Sequence, residues 1–273
     1  MLTVAHSPDT DDFFLFWAIV EGRIDCEGLE FAFRQYDTAT LNELAVEGKY
    51  DIVAVSAAAY RQLQDTYLIL PHGASVGRNY GPVVVSQRKL SIDDLNEATV
   101  AIPGATTTSA AVFKKIAPQA NCVEVPIEPF KLVFDYLNRG EVDAALLIHE
   151  GQISYRSRDL HKVVDIGNWW QERFSLPLPL GINVIKRSIG DETIERASRV
   201  LSRSIAYGLA HRDEVLGELI QLNNSREADL TSQSGVKEYL ERYANADTAR
   251  MDEDCIEALR ILLGSEVELA FAP

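Results

Sequence analysis

Residues 176–181 read Leu-Pro-Leu-Pro-Leu-Gly, and this turn-forming stretch decides the predicted fold. It lies directly before the apolar strand pattern of Gly181–Lys186. A second break, Gly81-Pro82, opens another strand pattern, Pro82–Ser86. A chain that leaves one lobe at Gly81-Pro82 and returns after residues 176–181 forms a two-segment hinge, with a ligand cleft between the lobes.

These two crossings divide the chain into one discontinuous and one continuous lobe. We expect lobe 1 to comprise residues 1–85 and 183–273, and lobe 2 to comprise residues 86–182. A plain split into two consecutive domains is the alternative.

Strand and helix patterns alternate up to residue 186, which is typical of an α/β fold with mostly parallel sheets. The predicted strands are Leu2–Ala5, Leu29–Arg34, Ile52–Ser56, Tyr67–Leu70, Pro82–Ser86, Thr99–Ile102, Cys122–Val125, Ala144–Ile148, Lys162–Asp165 and Gly181–Lys186. The predicted helices between them are Asp12–Glu21, Leu41–Glu47, Ala57–Gln64, Thr108–Ala117, Phe130–Asn138 and Trp169–Phe174. Residues 190–263 have a helical period almost throughout, so the C-terminal region is predicted to be helical.

Composition and charge restrict the class of partner. The 273 residues are 47% hydrophobic and 25% charged, which is ordinary for a globular protein. A net charge of −15 repels nucleic acid and anionic membranes, so neither is an expected partner. We find no transmembrane run and no signal peptide. Three widely spaced cysteines, Cys26, Cys122 and Cys255, predict reduced thiols in a cytoplasmic protein.

His149 is the strongest candidate for a reacting group. It follows the apolar run Ala144–Ile148, which is typical of a buried parallel strand. Ligands of open α/β sheets bind beyond the carboxyl ends of the strands. An unperturbed pKa of about 6.5 would suit proton transfer near neutrality. The alternative is a histidine that only hydrogen-bonds the edge of the sheet.

Two helix starts are predicted to bind an anion. Residues 106–109 place consecutive hydroxyls, including those of Thr107 and Thr108, at the start of a helix, where capping needs only one. Hydroxyls and free amides at such a position bind carboxylate or phosphate without a basic residue. Ser56 ends a strand in a similar arrangement. Simple N-capping is the alternative for each.

The remaining candidates have weaker signals. Ser7 and Asp11 lie in a loop after the first strand and are predicted to face the ligand, although such residues are also ordinary helix caps. The glycine-rich stretch Gly73–Gly81 either lines the cleft or only connects two elements. Trp169-Trp170 would stack on a planar ligand or, more often for paired aromatics, pack in the core. No His, Cys or carboxylate cluster has metal spacing, so we expect neither a metal nor a cofactor.

Taken in order, several stretches resemble the 1,4-dihydroxy-6-naphthoate synthase family of the futalosine route to menaquinone. They are Ser7–Phe13, Leu41-Asn42, Ser56–Tyr60, Gly81-Pro82, Pro103-Gly104 with Thr107-Thr108, Ile148–Glu150, Asp165–Trp170 and Leu176–Gly181. The resemblance extends from residue 2 to about residue 210. It implies a two-lobed, periplasmic-binding-protein-like (type II) fold without a transport function.

The resemblance also implies a carbon–carbon or carbon–oxygen lyase. Its small-molecule carboxylate substrate would be cyclic dehypoxanthine futalosine, converted to 1,4-dihydroxy-6-naphthoate with release of a sugar-derived fragment. The cleft histidine of the family maps onto His149, and the carboxylate-binding hydroxyls map onto Ser56, Thr107 and Thr108. The alternatives are a chorismate dehydratase of the same pathway and a non-enzymatic protein that binds a small carboxylate. The role of Glu150 stays open.

Overall fold

The computed structural model describes residues 1–127, 131–225, 230 and 232–273, whose strands form two sheets. The strands are β1 (Leu2–His6), β2 (Phe31–Gln35), β3 (Ile52–Ser56), β4 (Tyr67–Ile69), β5 (Ser75–Gly77), β6 (Val83–Ser86), β7 (Thr99–Ile102), β8 (Asn121–Glu124), β9 (Ala144–Leu147), β10 (His161–Asp165) and β11 (Leu178–Lys186). The α-helices are α1 (Thr10–Val20), α2 (Thr38–Val46), α3 (Thr108–Ile116), α4 (Leu132–Asn138), α5 (Gly151–Ser154), α6 (Ile166–Phe174), α7 (Asp191–Ala210), α8 (Arg212–Ser225), α9 (Gln233–Tyr243), α10 (Ala246–Ala249) and α11 (Glu253–Leu263). Short 3-10 helices cover Ala57–Gln62, Asp93–Glu97, Tyr155–Ser157 and Arg187–Ile189.

Both sheets are mixed, so the prediction of mostly parallel sheets is wrong. The first sheet has the order β2-β1-β3-β11-β4, with β5 also paired to β11, and the second has the order β10-β6-β9-β7-β8. Strands β1, β2 and β3 pair in parallel, as do β7, β8 and β9. Every pair that involves β6 or β11 is antiparallel. These are the two strands that follow the crossings, and each enters its sheet against the direction of the βαβ strands.

Both crossings lie a few residues before the predicted lobe boundaries at 85 and 182. Val83–Ser86 already pairs within the second sheet, and Leu178 already pairs with Gly77 in the first. The sequence pattern predicts a turn at Pro179, but this residue lies in β11 where the register with β5 shifts, a position that tolerates a residue without an N–H. The lobe limits at 85 and 182 stay a prediction. We infer that each sheet and its helices form one lobe with these earlier limits.

Most predicted elements occur with small shifts at their ends, and the helical prediction for residues 190–263 corresponds to helices α7–α11. Strand β5 was missed because it is short and lies in a glycine-rich stretch. The predicted helix Ala57–Gln64 is a 3-10 helix that ends at Gln62. The predicted helix start at Phe130 lies outside the described residues. Among those residues, no helix combines the length and the apolar character needed to cross a bilayer.

Glycines bring the two crossings into backbone contact. A Cβ on Gly167 would lie 1.9 Å from the carbonyl oxygen of Tyr80, and a Cβ on Gly81 would lie 2.8 Å from the backbone nitrogen of Gly167. The N–H of Ile166 donates to the carbonyl oxygen of Pro82 at 2.8 Å. No other residue type fits at positions 81 and 167 without moving one crossing away from the other.

We expect Gly167→Ala to lower the free energy of unfolding by about 2 kcal/mol or more, because the added methyl group overlaps backbone that no rotamer change can move. The matched control is Gly217→Ala in α8, where a Cβ meets nothing within 4 Å. This control should stabilise the protein by about 0.5–1 kcal/mol through helix propensity. Chemical denaturation measures both variants. A Gly167→Ala protein as stable as the parent would show that the crossings are loosely packed.

Candidate active site

A cavity of about 670 Å³, counted out to its open mouth, lies between the two lobes. All six residues proposed from sequence line it, namely Ser7, Asp11, Ser56, Thr107, Thr108 and His149. They come from loops and helix starts of both lobes, up to 142 positions apart in sequence (149 − 7). The fold therefore brings the predicted residues to one cavity, and their individual roles follow from the contacts they make.

His149 joins the two sides of this cavity. It lies just beyond β9 with a left-handed backbone (φ 48°), and its side chain is 14% exposed. Its Nδ1 pairs with the carboxylate of Asp9, and its Nε2 lies 2.9 Å from the hydroxyl oxygen of Thr38. Asp9 is the N-cap of α1, and Thr38 is the first residue of α2. A lobe 2 side chain is thus held by two helix starts of lobe 1.

The Asp9 carboxylate changes the acidity of His149. Burial alone would lower the histidine pKa, but the charge and hydrogen bond of Asp9, with smaller contributions from Glu150 and Asp11, raise it to about 10. Burial opposes ionisation of Asp9 as well, yet the charge of His149 holds the pKa of Asp9 below its ordinary value. The pair is therefore imidazolium and carboxylate at neutral pH. The expectation of an ordinary histidine pKa is wrong because Asp9, distant in sequence, lies against the ring.

Three further acids surround this pair. Burial, followed by the charge of Asp9, raises the pKa of Asp11 to about 8, so its carboxyl group is mostly protonated at neutral pH. Ser75 Oγ and the Tyr239 hydroxyl lie 2.6 Å and 3.1 Å from its two oxygens. Burial also raises the pKa of Asp12 well above its ordinary value, although Asp12 accepts the backbone N–H of Ser7 at 2.6 Å.

Glu150 binds the same helix start as His149 but does not line the cavity. Its Oε1 accepts from the backbone N–H of Thr10 at 3.0 Å and from the Thr10 hydroxyl at 2.6 Å. A carboxyl group is favoured there by the dipole of α1. Its other oxygen, Oε2, is buried and has no hydrogen-bond partner among the described residues. These contacts make Glu150 a residue that holds lobe 2 against α1.

Ser56 presents a hydroxyl donor to the cavity. Its backbone N–H donates to Asn42 Oδ1 at 2.9 Å, and its Oγ accepts from Asn42 Nδ2 at 3.1 Å. Since Asn42 uses the acceptor side of the hydroxyl, the hydroxyl hydrogen remains for another acceptor. The asparagine thus orients Ser56 as a donor, a contact that the strand-end pattern alone did not reveal.

The hydroxyls of Thr107 and Thr108 are both used within the protein. Thr107 caps α3 by accepting from the backbone N–H of Ala110 at 3.2 Å, and it donates to the carbonyl oxygen of Gly104 at 2.8 Å. Thr108 donates to the carbonyl oxygen of Leu180 at 2.7 Å and accepts from the N–H of Ala58 at 3.0 Å, so it ties α3 to lobe 1. The apparent excess of hydroxyls over capping need is explained partly by this second role. The amides of the first turn of α3 still have no acceptor within the helix.

Several cavity residues were not found from sequence, including Asp9, Thr38, Gln152, Asn183, Tyr239 and Tyr243. Thr38 had a usable signal, because β2 lies parallel to β1 and the residues after both strands reach the same edge. The two tyrosines had none, since α9 joins the site only through tertiary packing. Trp169 and Trp170 do not line the cavity. Trp170 is fully buried with its ring 4.3 Å from that of Phe174, so it packs in the core.

Asp9, Asp11 and His149 each offer a metal-ligand atom, and these atoms lie within 4.8 Å of one another. The fold creates this cluster from separate segments, so sequence spacing could not reveal it. The ion pair between Asp9 and His149, together with the donors on Asp11, accounts for the observed arrangement of the three side chains. The expectation of no metal stays a prediction.

Comparisons with known proteins show which family and which solved structures this chain is similar to. The profile of a protein family described as "Menaquinone biosynthesis" matches residues 2–266. A 1,4-dihydroxy-6-naphthoate synthase of Thermus thermophilus is 38% identical over 216 residues, which is 79% of this chain and 77% of that protein. A crystal structure of protein AF1704 from Archaeoglobus fulgidus is 37% identical with a TM-score of 0.87, covering 96% of this chain and 94% of the other.

The fold is also that of proteins with unrelated sequences. A Candida albicans protein with the generic periplasmic binding protein fold has a TM-score of 0.68 at 13% identity, covering 96% of this chain and 89% of its own. Identity this low shows the fold alone. The predicted two-sheet, periplasmic-binding-protein-like α/β fold is confirmed.

We expect Asp9→Asn to lower the pKa of His149 from about 10 to its ordinary value of about 6.5 or below, because the charge that raises it is removed. Asparagine caps helices as well as aspartate, so α1 should remain intact. NMR titration of the imidazole ring measures the change, with His149→Asn used for assignment. Thr38→Val is the control, because it removes a neutral contact and should leave the pKa high. A parent pKa near 6.5 would contradict the ion pair.

Proposed function

This chain belongs to the menaquinone biosynthesis family, and we propose that it is a 1,4-dihydroxy-6-naphthoate synthase. The substrate would be cyclic dehypoxanthine futalosine, a bicyclic carboxylate joined to a sugar-derived ring, and the products would be the naphthoate and a sugar-derived fragment. The observation that carries the proposal is the contact of His149 with the Asp9 carboxylate in a cavity that also presents the hydroxyl donor of Ser56.

The charge state of His149 suggests the order of proton transfers. An imidazolium can donate its proton to the oxygen on which negative charge builds as the sugar-derived fragment leaves. The neutral imidazole that remains can then remove the ring proton whose loss makes the bicycle aromatic. The proton given in the first step is recovered in the second, so the cycle needs no other acid or base. Asp9 supports the first step as the counter-ion of the imidazolium.

The substrate carboxylate fits the end of the cavity formed by Ser56 and the start of α3. Ser56 offers its hydroxyl hydrogen, and the first-turn amides at Thr108 and Ser109 lie at the positive end of a nine-residue helix. Thr107 and Thr108 hold this helix start in place through their own hydroxyls. We assign carboxylate binding here to amides together with Ser56, with the threonine hydroxyls in a supporting role.

The two alternatives are not favoured. Curated relatives are named 1,4-dihydroxy-6-naphthoate synthases, and this chain matches the menaquinone biosynthesis family, which gives no support to a chorismate dehydratase or to a carboxylate-binding protein without activity. A binding protein would also have no use for a histidine held as a proton donor beside Asp9. The cytoplasm remains our proposed compartment, in keeping with the unpaired thiols of Cys26, Cys122 and Cys255.

We expect His149→Asn to slow naphthoate formation by about 10²–10⁴-fold, because the proton donor and acceptor is lost. Asparagine tolerates the left-handed backbone of this position, so the fold should be kept. The measurement is naphthoate absorbance in single-turnover reactions with cyclic dehypoxanthine futalosine, and chorismate serves as the competing substrate. Turnover within tenfold of the parent would remove His149 from the chemistry. Dehydration of chorismate by the parent protein would overturn the synthase assignment.

We expect Ser56→Ala to weaken binding of the naphthoate product by about 10–100-fold, since it removes a hydrogen bond to a charged group. Ser202→Ala on the exposed side of α7 is the matched control and should leave the product affinity unchanged.

Thr107→Val should lower the free energy of unfolding by about 1 kcal/mol through loss of the α3 cap. Titration calorimetry and thermal unfolding separate these effects. Unchanged product affinity in Ser56→Ala would move the carboxylate elsewhere.

A further inference from the structure

We propose that Asn183 determines substrate specificity, by accepting through its Oδ1 a hydrogen bond from a hydroxyl of the sugar-derived part of the substrate. The inference rests on the proposed function and adds to it a residue that recognises the part of the substrate released as the sugar-derived fragment. His149, the proposed proton donor, acts on the same half. No sequence pattern indicates Asn183, which lies in the interior of β11.

Asn183 lines the cavity, and its side chain carries an unpaired, buried acceptor. The residue is 4% exposed and lines the cavity. Its Nδ2 donates to the carbonyl oxygen of Gly73 at 2.8 Å, and this bond fixes which side of the amide carries the oxygen. Oδ1 is buried and has no hydrogen-bond partner among the described residues. Buried side-chain amide oxygens nearly always have a partner, so a donor from a ligand is the natural complement.

The sheet register puts this acceptor at a defined distance from the carboxylate end. Across the β3–β11 pair, Asn183 lies opposite Ala54, and Gly181 lies opposite Ser56. Alternate residues of a strand share one face, so these four line one side of the cavity. The two rungs are about 7 Å apart along the strands. A fused bicycle spans this distance with its carboxylate at Ser56 and its attached ring at Asn183.

The chemistry around Asn183 suits an alcohol and excludes a carboxylate. Gly73, whose carbonyl holds the amide, precedes the strand that carries Ser75, and the Ser75 hydroxyl lies 2.6 Å from a carboxyl oxygen of Asp11. Asn183 and Asp11 both line the cavity, and both oxygens of Asp11 are already in contact with hydroxyl groups of the protein. The remaining acceptor, Oδ1 of Asn183, needs a donor, which a ligand hydroxyl supplies and a carboxylate does not.

Packing keeps the amide in this orientation. Gly73 has a φ of +80°, and a Cβ at this position would lie 2.7 Å from Asn183 Nδ2. The backbone of the loop is thus pressed against the nitrogen side of the amide. A rotated amide would place Oδ1 against the Gly73 carbonyl oxygen, and this repulsion leaves the oxygen side for the ligand.

The test compares Asn183→Leu and Asn183→Asp with the parent, using the cyclic substrate and the naphthoate product. Asn183→Leu removes the acceptor and the bond to Gly73, whereas Asn183→Asp keeps an oxygen acceptor and replaces the Nδ2 donor by a carboxyl oxygen, which binds the Gly73 carbonyl only when it is protonated. We expect Asn183→Leu to raise the KM for the substrate about 10-fold while the product Kd changes less than twofold, because the product lacks the sugar-derived ring. Asn183→Asp should keep most of the substrate affinity. Equal losses for substrate and product, or equal losses in both variants, would assign Asn183 a purely structural role.

A second arm begins with the unaltered protein and then repeats the comparison with Asn183→Leu. Substrate analogues that lack one hydroxyl of the sugar-derived ring are titrated by calorimetry. One analogue should bind the parent about 10-fold more weakly than the substrate, and Asn183→Leu should not distinguish the two. If no single hydroxyl shows this pattern, the inference is wrong. Binding of the substrate without any naphthoate formation would instead refute the proposed function, and the calorimetric comparison would still decide the role of Asn183.

Discussion

The ion pair between Asp9 and His149 is the interaction on which the rest of the site depends. Each partner is placed by the end of a parallel strand, Asp9 after β1 and His149 after β9, and the two strands belong to different sheets. Removing one partner of a buried pair leaves an uncompensated charge, which is far more costly than never having the pair. The left-handed backbone of His149, unfavourable for most residues, is therefore maintained by contacts at both ring nitrogens.

The same pair explains how so many acids share one pocket. Asp9, Asp11, Asp12 and Glu150 are all buried around a single cation. Only Asp9 has a pKa below its ordinary value, and the other three have raised pKa values, burial being the largest cause for each. Burial therefore disfavours the charged form of these three carboxyl groups, whereas the imidazolium of His149 favours the charged form of Asp9.

The sequence predicted the elements well and the pairings less well. The buried strands Ile52–Ser56 and Thr99–Ile102 matched the structure because apolar runs bounded by polar residues are local signals. The antiparallel direction of β6 and β11 depends on which end of a sheet the chain enters after crossing, which no local pattern encodes. His149 and Ser56 could be placed at the cavity because they directly follow or end a strand. The pKa of His149 and the hydrogen-bond orientation of Ser56 could not be predicted, because they depend on Asp9 and Asn42, which are distant in sequence. Asn183 could not be predicted as a cavity residue, because no local sequence pattern marks an asparagine inside a strand.

The position of Asp9 and His149 on opposite lobes gives the fold a consequence for solution behaviour. Apart from its partner, the imidazole returns to an ordinary pKa near 6.5, whereas in contact with Asp9 its pKa is about 10. Separating the lobes at mildly alkaline pH would therefore release the His149 proton to the buffer, and rejoining them would take it back. Domain motion and acid–base equilibrium become a single thermodynamic process. The heat of opening would then vary with the ionisation enthalpy of the buffer, so separation of the lobes could be detected through the proton it releases.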